Sequence, residues 1–101
     1  MRDKLAFYVD YNARERLPDG GQAVLIRSDR MNPPALEQEL KAGLRIVTYD
    51  EEIRCEGILR KGYCLDGWVA DLIPETNLDL KKGEFERLRI MTKRQALRIA
   101  K

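Results

Sequence analysis

GLRIVTYDEEIRCEGILRKGYCLDGWVADLIP, Gly43 to Pro74, decides the fold class. Leu44 and Ile46 oppose Val47 and Tyr49, so a first strand is apolar on both faces. Asp50, Glu51 and Glu52 then form a charged turn. From Ile53 onward a longer strand sets Ile53, Cys55 and Leu59 on one face, and Gly57 or Gly62 is expected to mark a bulge or sharp bend. Asp66-Gly67 is a strong hairpin signal. Trp68 to Ile73 returns as a third strand, which Pro74 ends because it cannot donate to a ladder.

Upstream, Leu5, Phe7, Val9 and Tyr11 alternate with Ala6, Tyr8 and Asp10, the pattern of a half-buried strand. Asn12 to Gly21 is polar and closes on Pro-Asp-Gly-Gly, a turn; Gln22 to Ser28 offers a second strand, expected beside the first. Asn32 as N-cap, Pro33 at the first helical position and Leu36 and Leu40 on one face predict a short helix, with Gly43 ending it in a left-handed conformation. Strands are expected near 4–11, 22–28, 43–50, 53–65 and 68–73, and helices near 33–41 and 93–100. The expected core comprises Val47, Ile53, Cys55, Leu59, Trp68, Val69 and Leu72 with Phe7, Val9, Val24 and Ile26, and Trp68 is expected to contribute most to it.

This pattern implies a mainly β (α+β) protein, a small SH3-like curved sheet or barrel with one short internal helix and a C-terminal helix. The segments FYVDYN, LKAGLRIVTYDEEIRCEGIL and WVADLIP resemble a set of small, functionally uncharacterised bacterial proteins. In those, a VDFN-like start, a G-x-x-V-x-x-Y-D strand and a Trp-bearing strand recur. The resemblance spans residues 7 to 79 and implies a compact β-rich domain; it supplies no catalytic residue.

Composition restricts the chemistry. The chain has 101 residues and no histidine, which removes Ser-His-Asp and Cys-His catalysis and most zinc sites. Cys55 and Cys64 lack a C-x-x-C spacing, so reduced thiols in a sheet are expected. Carboxylate chemistry has two places to reside, Asp50 with Glu51 and Glu52, or Asp71 with Glu75, and the first is expected to be a solvated turn. No catalytic residue, metal site or cofactor is therefore expected. No apolar run approaches the ~18 residues of a membrane span, and the opening residues lack the form of a signal peptide. A cytoplasmic protein without a membrane partner is the expectation.

Charge divides the chain. Residues 1–80, the expected β domain, carry 11 basic and 15 acidic side chains, net −4, whereas residues 81–101 carry 8 and 2, net +6. Lys81, Lys82, Arg87, Arg89, Lys93, Arg94, Arg98 and Lys101 are the candidate residues for an acidic partner or nucleic acid. The segment has two readings. Glu84 to Ile90 alternates like an exposed strand, and Thr92 with Gln95 forms a capping box for a following helix; the competing reading is one helix over 84–100. Because the apolar residues spread around the helical wheel, strand then helix is preferred. Tyr8 and Tyr63 are the aromatic rings expected to be exposed, too few for a base-stacking platform. A non-enzymatic interaction module follows, binding a protein partner or itself as a homo-oligomer through a sheet edge or the C-terminal segment. Nucleic-acid binding through the basic segment is the alternative.

Overall fold

A computed structural model describes residues 4–29, 31–62 and 67–100; Tyr63, Cys64, Asp66 and Lys101 lie outside the described residues. Its strands are β1 (Ala6–Tyr8), β2 (Arg14–Arg16), β3 (Gln22–Ile26), β4 (Arg45–Tyr49), β5 (Ile53–Lys61), β6 (Trp68–Leu72) and β7 (Leu78–Asp79). Among the described residues, one helix, α1 (Glu84–Ile99), and two short 3-10 helices, Pro34–Glu39 and Pro74–Thr76, complete the structure. The protein is thus mainly β, as its alternation of branched and polar residues requires.

All seven strands belong to one sheet, in the order β1-β4-β5-β6-β3-β2, with β7 beside the start of β5. The β4, β5 and β6 meander of Gly43 to Pro74 is its centre. The first strand does not neighbour the second as expected. β1 instead runs parallel to β4, with Ala6 beside Val47 and Tyr8 beside Tyr49, and β3 lies against β6. Phe7 and Val24 come from well-separated strands, yet the registers set them on one face with Leu59 and Ala70, and together with Leu36 they form one continuous core. Its end strands β1 and β2 are not paired with each other, and the sheet is not closed into a barrel.

Gly57 marks a close approach of two strands and not a bulge, since the register runs one to one through it. A Cβ on Gly57 would lie 2.9 Å from the Ala70 Cβ and 3.1 Å from the Asp71 carbonyl oxygen, so only glycine lets β6 approach so closely. There β5 exchanges partners, from β7 at Ile53 and Arg54 to β6 from Gly57 onward. The Thr76 hydroxyl fills the gap, accepting from the Glu56 amide at 2.8 Å and donating to the Ile73 carbonyl at 2.7 Å.

Where a helix is expected over 33–41, the chain forms a single 3-10 segment, Pro34–Glu39, instead of a regular helix. Pro33 occupies the cap position, no side chain caps it, and Leu36 is its buried contact. Gly43 does adopt the left-handed conformation (φ 90°), but it follows the helix end at a distance and feeds β4. Residues 84–90 form no strand: the basic segment is one 16-residue helix, the competing reading of its sequence. Its apolar residues spread around the wheel because two faces of the helix are apolar, one docked and one outward.

Most of the expected core is buried, including Phe7, Val9, Val24, Ile26, Cys55, Leu59 and Val69. Val47, Ile53, Leu72 and Trp68 are half-buried. The tryptophan packs on the rim, with the Lys61 ammonium 4.2 Å from its ring centroid, a cation–π contact. Tyr49 and Phe7 are the largest fully buried side chains. A second core lies across the sheet, where Ala6, Tyr49 and Leu88 meet Tyr8, Val47, Phe85 and Met91.

Candidate interaction surface

Helix α1 is the element that carries the charge asymmetry, and its docking determines which residues face outward. The Glu84 carboxylate at its start accepts from the Lys81 amide at 2.8 Å and lies 3.6 Å from the Arg54 guanidinium. Phe85, Leu88, Thr92, Gln95, Ala96 and Ile99 recur every three or four residues, which sets them on one face. That face meets β1 and the Pro34–Glu39 segment. Phe85, Tyr8 and Tyr49 form a triangle of edge-to-face rings with centroids 5.9 to 6.2 Å apart, a favoured geometry for aromatic pairs. Tyr8, expected to offer an exposed ring, is held in this triangle, and its hydroxyl donates to Glu51.

The polar members of the docked face close the outer edge of β1. In the parallel pairing, Leu5 and Val9 bond to β4, so the backbone groups of Lys4, Ala6 and Tyr8 point away from it. Gln95 accepts from the Ala6 amide at 3.0 Å and donates to the Lys4 carbonyl at 2.9 Å. Thr92 donates to the Ala6 carbonyl at 2.9 Å and accepts from the Tyr49 hydroxyl at 2.8 Å. Asn32 accepts from the Tyr8 amide at 2.8 Å and donates to the Tyr8 carbonyl at 2.6 Å and the Arg27 carbonyl at 2.9 Å. Thr92 and Gln95 are therefore not a capping box, nor is Asn32 a helix cap. Together they replace a missing neighbouring strand, and all three are buried.

What remains outward on α1 is Glu86, Arg87, Ile90, Lys93, Arg94, Leu97 and Arg98. Ile90 and Leu97 are 46% and 67% exposed. They lie seven residues apart and thus on one stripe, with Arg94 between them and Arg87 one turn before. Lys81 and Lys82 are exposed in the approach to the helix. Arg89 differs: it is half-buried, with its guanidinium against Met31. The structure thus gathers Arg87, Lys93, Arg94 and Arg98 on one face and sets Arg89 aside. The exposed apolar pair escaped the sequence reading, though its spacing of seven along a helix was the available signal.

The other chemistry-bearing groups have structural partners. Asp50 accepts from the Glu52 and Ile53 amides at 2.8 and 2.9 Å, the hydrogen bonding of a turn. Asp71 takes the Arg60 Nε at 2.9 Å, and Glu15 takes its terminal nitrogen at 2.7 Å. Among the described residues, no cluster of three or more Cys, Asp or Glu side chains is arranged to hold a metal. Cys55 is a buried free thiol directed at the Ile73 carbonyl 3.3 Å away. Among the described residues no helix is long and apolar enough to cross a membrane.

Burial governs the two interior phenols. Tyr11 and Tyr49 are both held well above the ordinary phenol pKa, chiefly by loss of water. Tyr8 is pushed up to about 12, first by its hydrogen bond to Glu51 and then by burial. Comparison with known proteins returned no relative: no family model, curated protein or solved structure matches this chain.

Proposed function

We propose that the protein is a non-enzymatic interaction module that binds an acidic protein partner through the outward face of α1. The observation that carries this reading is the exposed Ile90 and Leu97 pair set among Arg87, Lys93, Arg94 and Arg98. Protein interfaces combine a desolvated apolar centre with a charged rim in this way. Phosphate backbones reward the arginines but not exposed leucine and isoleucine, which favours a protein over a nucleic acid. The complementary surface is an acidic amphipathic helix laying its apolar stripe against the pair. The chain's lack of histidine and the structural engagement of Asp50 and Asp71 support the non-enzymatic part. A reduced, cytoplasmic setting fits the buried free thiol of Cys55. The SH3-like reading belongs to the same proposal and is supported by the small size of the single, mainly antiparallel sheet and the core on its face.

A helical peptide with leucines one heptad apart and glutamates around them tests the proposal, measured by fluorescence anisotropy beside a mixed-sequence oligonucleotide. Leu97→Asp and Arg94→Glu are each expected to weaken peptide binding about tenfold or more, and the oligonucleotide is expected not to bind. Oligonucleotide binding that depends on Arg94 and ignores Leu97 overturns the reading in favour of nucleic acid. Failure to bind the peptide at low salt overturns it as well.

A further inference from the structure

We infer that the opposite edge of the sheet, strand β2, is a docking edge for an extended acidic segment of another protein, which adds to the sheet as a further strand. The two edges are treated differently. Outward backbone groups of β1 are taken by Asn32, Thr92 and Gln95. In β2, the Ala13 carbonyl and Leu17 amide bond toward β3 and its turn, and the Arg14, Glu15 and Arg16 register follows from them. Glu15 thus bonds inward, and the amides and carbonyls of Arg14 and Arg16 face away from the sheet. Among the described residues these outward groups have no hydrogen-bond partner.

The edge is also held ready. Glu15 is buried, and its carboxylate meets Arg60, which in turn holds Asp71 of β6. Ala23 lies between Glu15 and Asp71 in the register and is small enough for Arg60 to reach across it. This ion cluster ties the edge strand to the centre of the sheet. Beside it is a depression of about 210 Å³ lined by Asn12, Arg14, Glu15, Arg16 and Gln22. Pro18, at the next outward position, has no amide to donate, so the edge suits a short segment.

Charge selects the occupant. Arg14 and Arg16 are exposed and share a face, so an added strand sets alternate residues against them, and acidic residues there form favourable cross-strand pairs. A second copy of β2 is disfavoured by the same rule. Each antiparallel two-fold register through these groups places arginine opposite arginine. The arginines therefore guard the edge against self-pairing while favouring an acidic strand.

The probe is a short blocked peptide alternating valine and aspartate, titrated into the full chain while backbone amides are followed by NMR, with a valine–lysine peptide as control. We expect perturbations centred on the Arg14 and Arg16 amides, weakening as salt rises, and none from the control. Arg16→Pro removes one outward donor and leaves the ladder to β3 intact. It is expected to lower affinity about tenfold without moving the thermal midpoint. Arg14→Glu with Arg16→Glu leaves the backbone untouched and is expected to exchange the peptide preference, which decides the matter if Arg16→Pro fails to fold. Perturbations absent from Arg14 and Arg16, undiminished binding by folded Arg16→Pro, or an unchanged preference in the double variant overturns the inference. So does an oligonucleotide that shifts these amides when the acidic peptide does not.

Discussion

Asn32→Asp replaces the side-chain amide NH2 by an oxygen at almost unchanged volume. In the native protein that NH2 donates to two carbonyl oxygens, of Tyr8 and Arg27, at a position 1% exposed. A carboxylate there would face both oxygens with charge and no donor. The substitution is expected to lower stability by at least about 3 kcal/mol, read as a shift in the urea midpoint at neutral pH. Asn32→Ala, which leaves the Tyr8 amide without its acceptor but adds no charge, is expected to lose less. The role of Asn32 was hard to read from its neighbours. Asn-Pro-Pro is a good helix-start signature, and the signal that the amide reaches across 24 positions to β1 is tertiary. By contrast, the buried positions of Phe7, Val24 and Leu59 follow from alternation alone, because one face of a strand must leave water.

Helix α1 shows how one element can carry two apolar stripes with different meanings. Its docked face is mixed, with Thr92 and Gln95 making the polar contacts a strand edge demands. Its outward face holds Ile90 and Leu97. Seen in sequence, these stripes blur into an unpatterned wheel, and the alternation over 84–90 then favours a strand. The two faces separate energetically. Thr92→Val, which keeps the shape and removes the hydroxyl, is expected to cost about 1–3 kcal/mol because the Ala6 carbonyl loses its donor in the interior. Arg94→Ala and Arg98→Ala are each expected to stay within about 0.5 kcal/mol of the native protein. Thermal unfolding of the three variants checks the contrast. Strand β2 was missed for a related reason: Arg-Glu-Arg has no apolar period, and Glu15 is buried through an ion cluster assembled from three strands.

At the scale of the whole molecule, the basic segment is part of the body. The Cα radius of gyration is 12.8 Å, against about 13 Å for a compact chain of this length, which leaves no room for an undocked tail. The cores on either side of the sheet make the protein sensitive to alkali. Tyr11 and Tyr49 hold their protons more tightly folded than unfolded, where a phenol titrates near 10.0. Their contribution to stability is complete below that pH and is lost as pH rises through their folded values. Tyr8 follows the same sign toward about 12. Stability is therefore expected to decline from pH ~10 upward, with phenolate absorbance from the interior pair appearing together with loss of the far-UV strand signal. In a Tyr63→Phe variant, phenolate forming at pH ~10 in a still-folded protein would contradict the burial of both rings.

The side chains that complete the β1 edge give the molecule a calendar during synthesis. Ala6 is made early, but the glutamine that binds its amide lies 89 positions further along. At about 5–20 residues per second, the first strand waits roughly five to twenty seconds for its closing partners, whatever else flanks the segment. During that interval Phe7 and Val9 can find β4 once Tyr49 has emerged, and Tyr8 can find Asn32, while the outward groups of Lys4 and Ala6 stay open to any passing strand. Growing chains translated side by side on one message would carry that open edge at the same moment. Anything that slows elongation between Tyr49 and Gln95 lengthens the exposure, so codon choice across that span bears on the yield of folded protein.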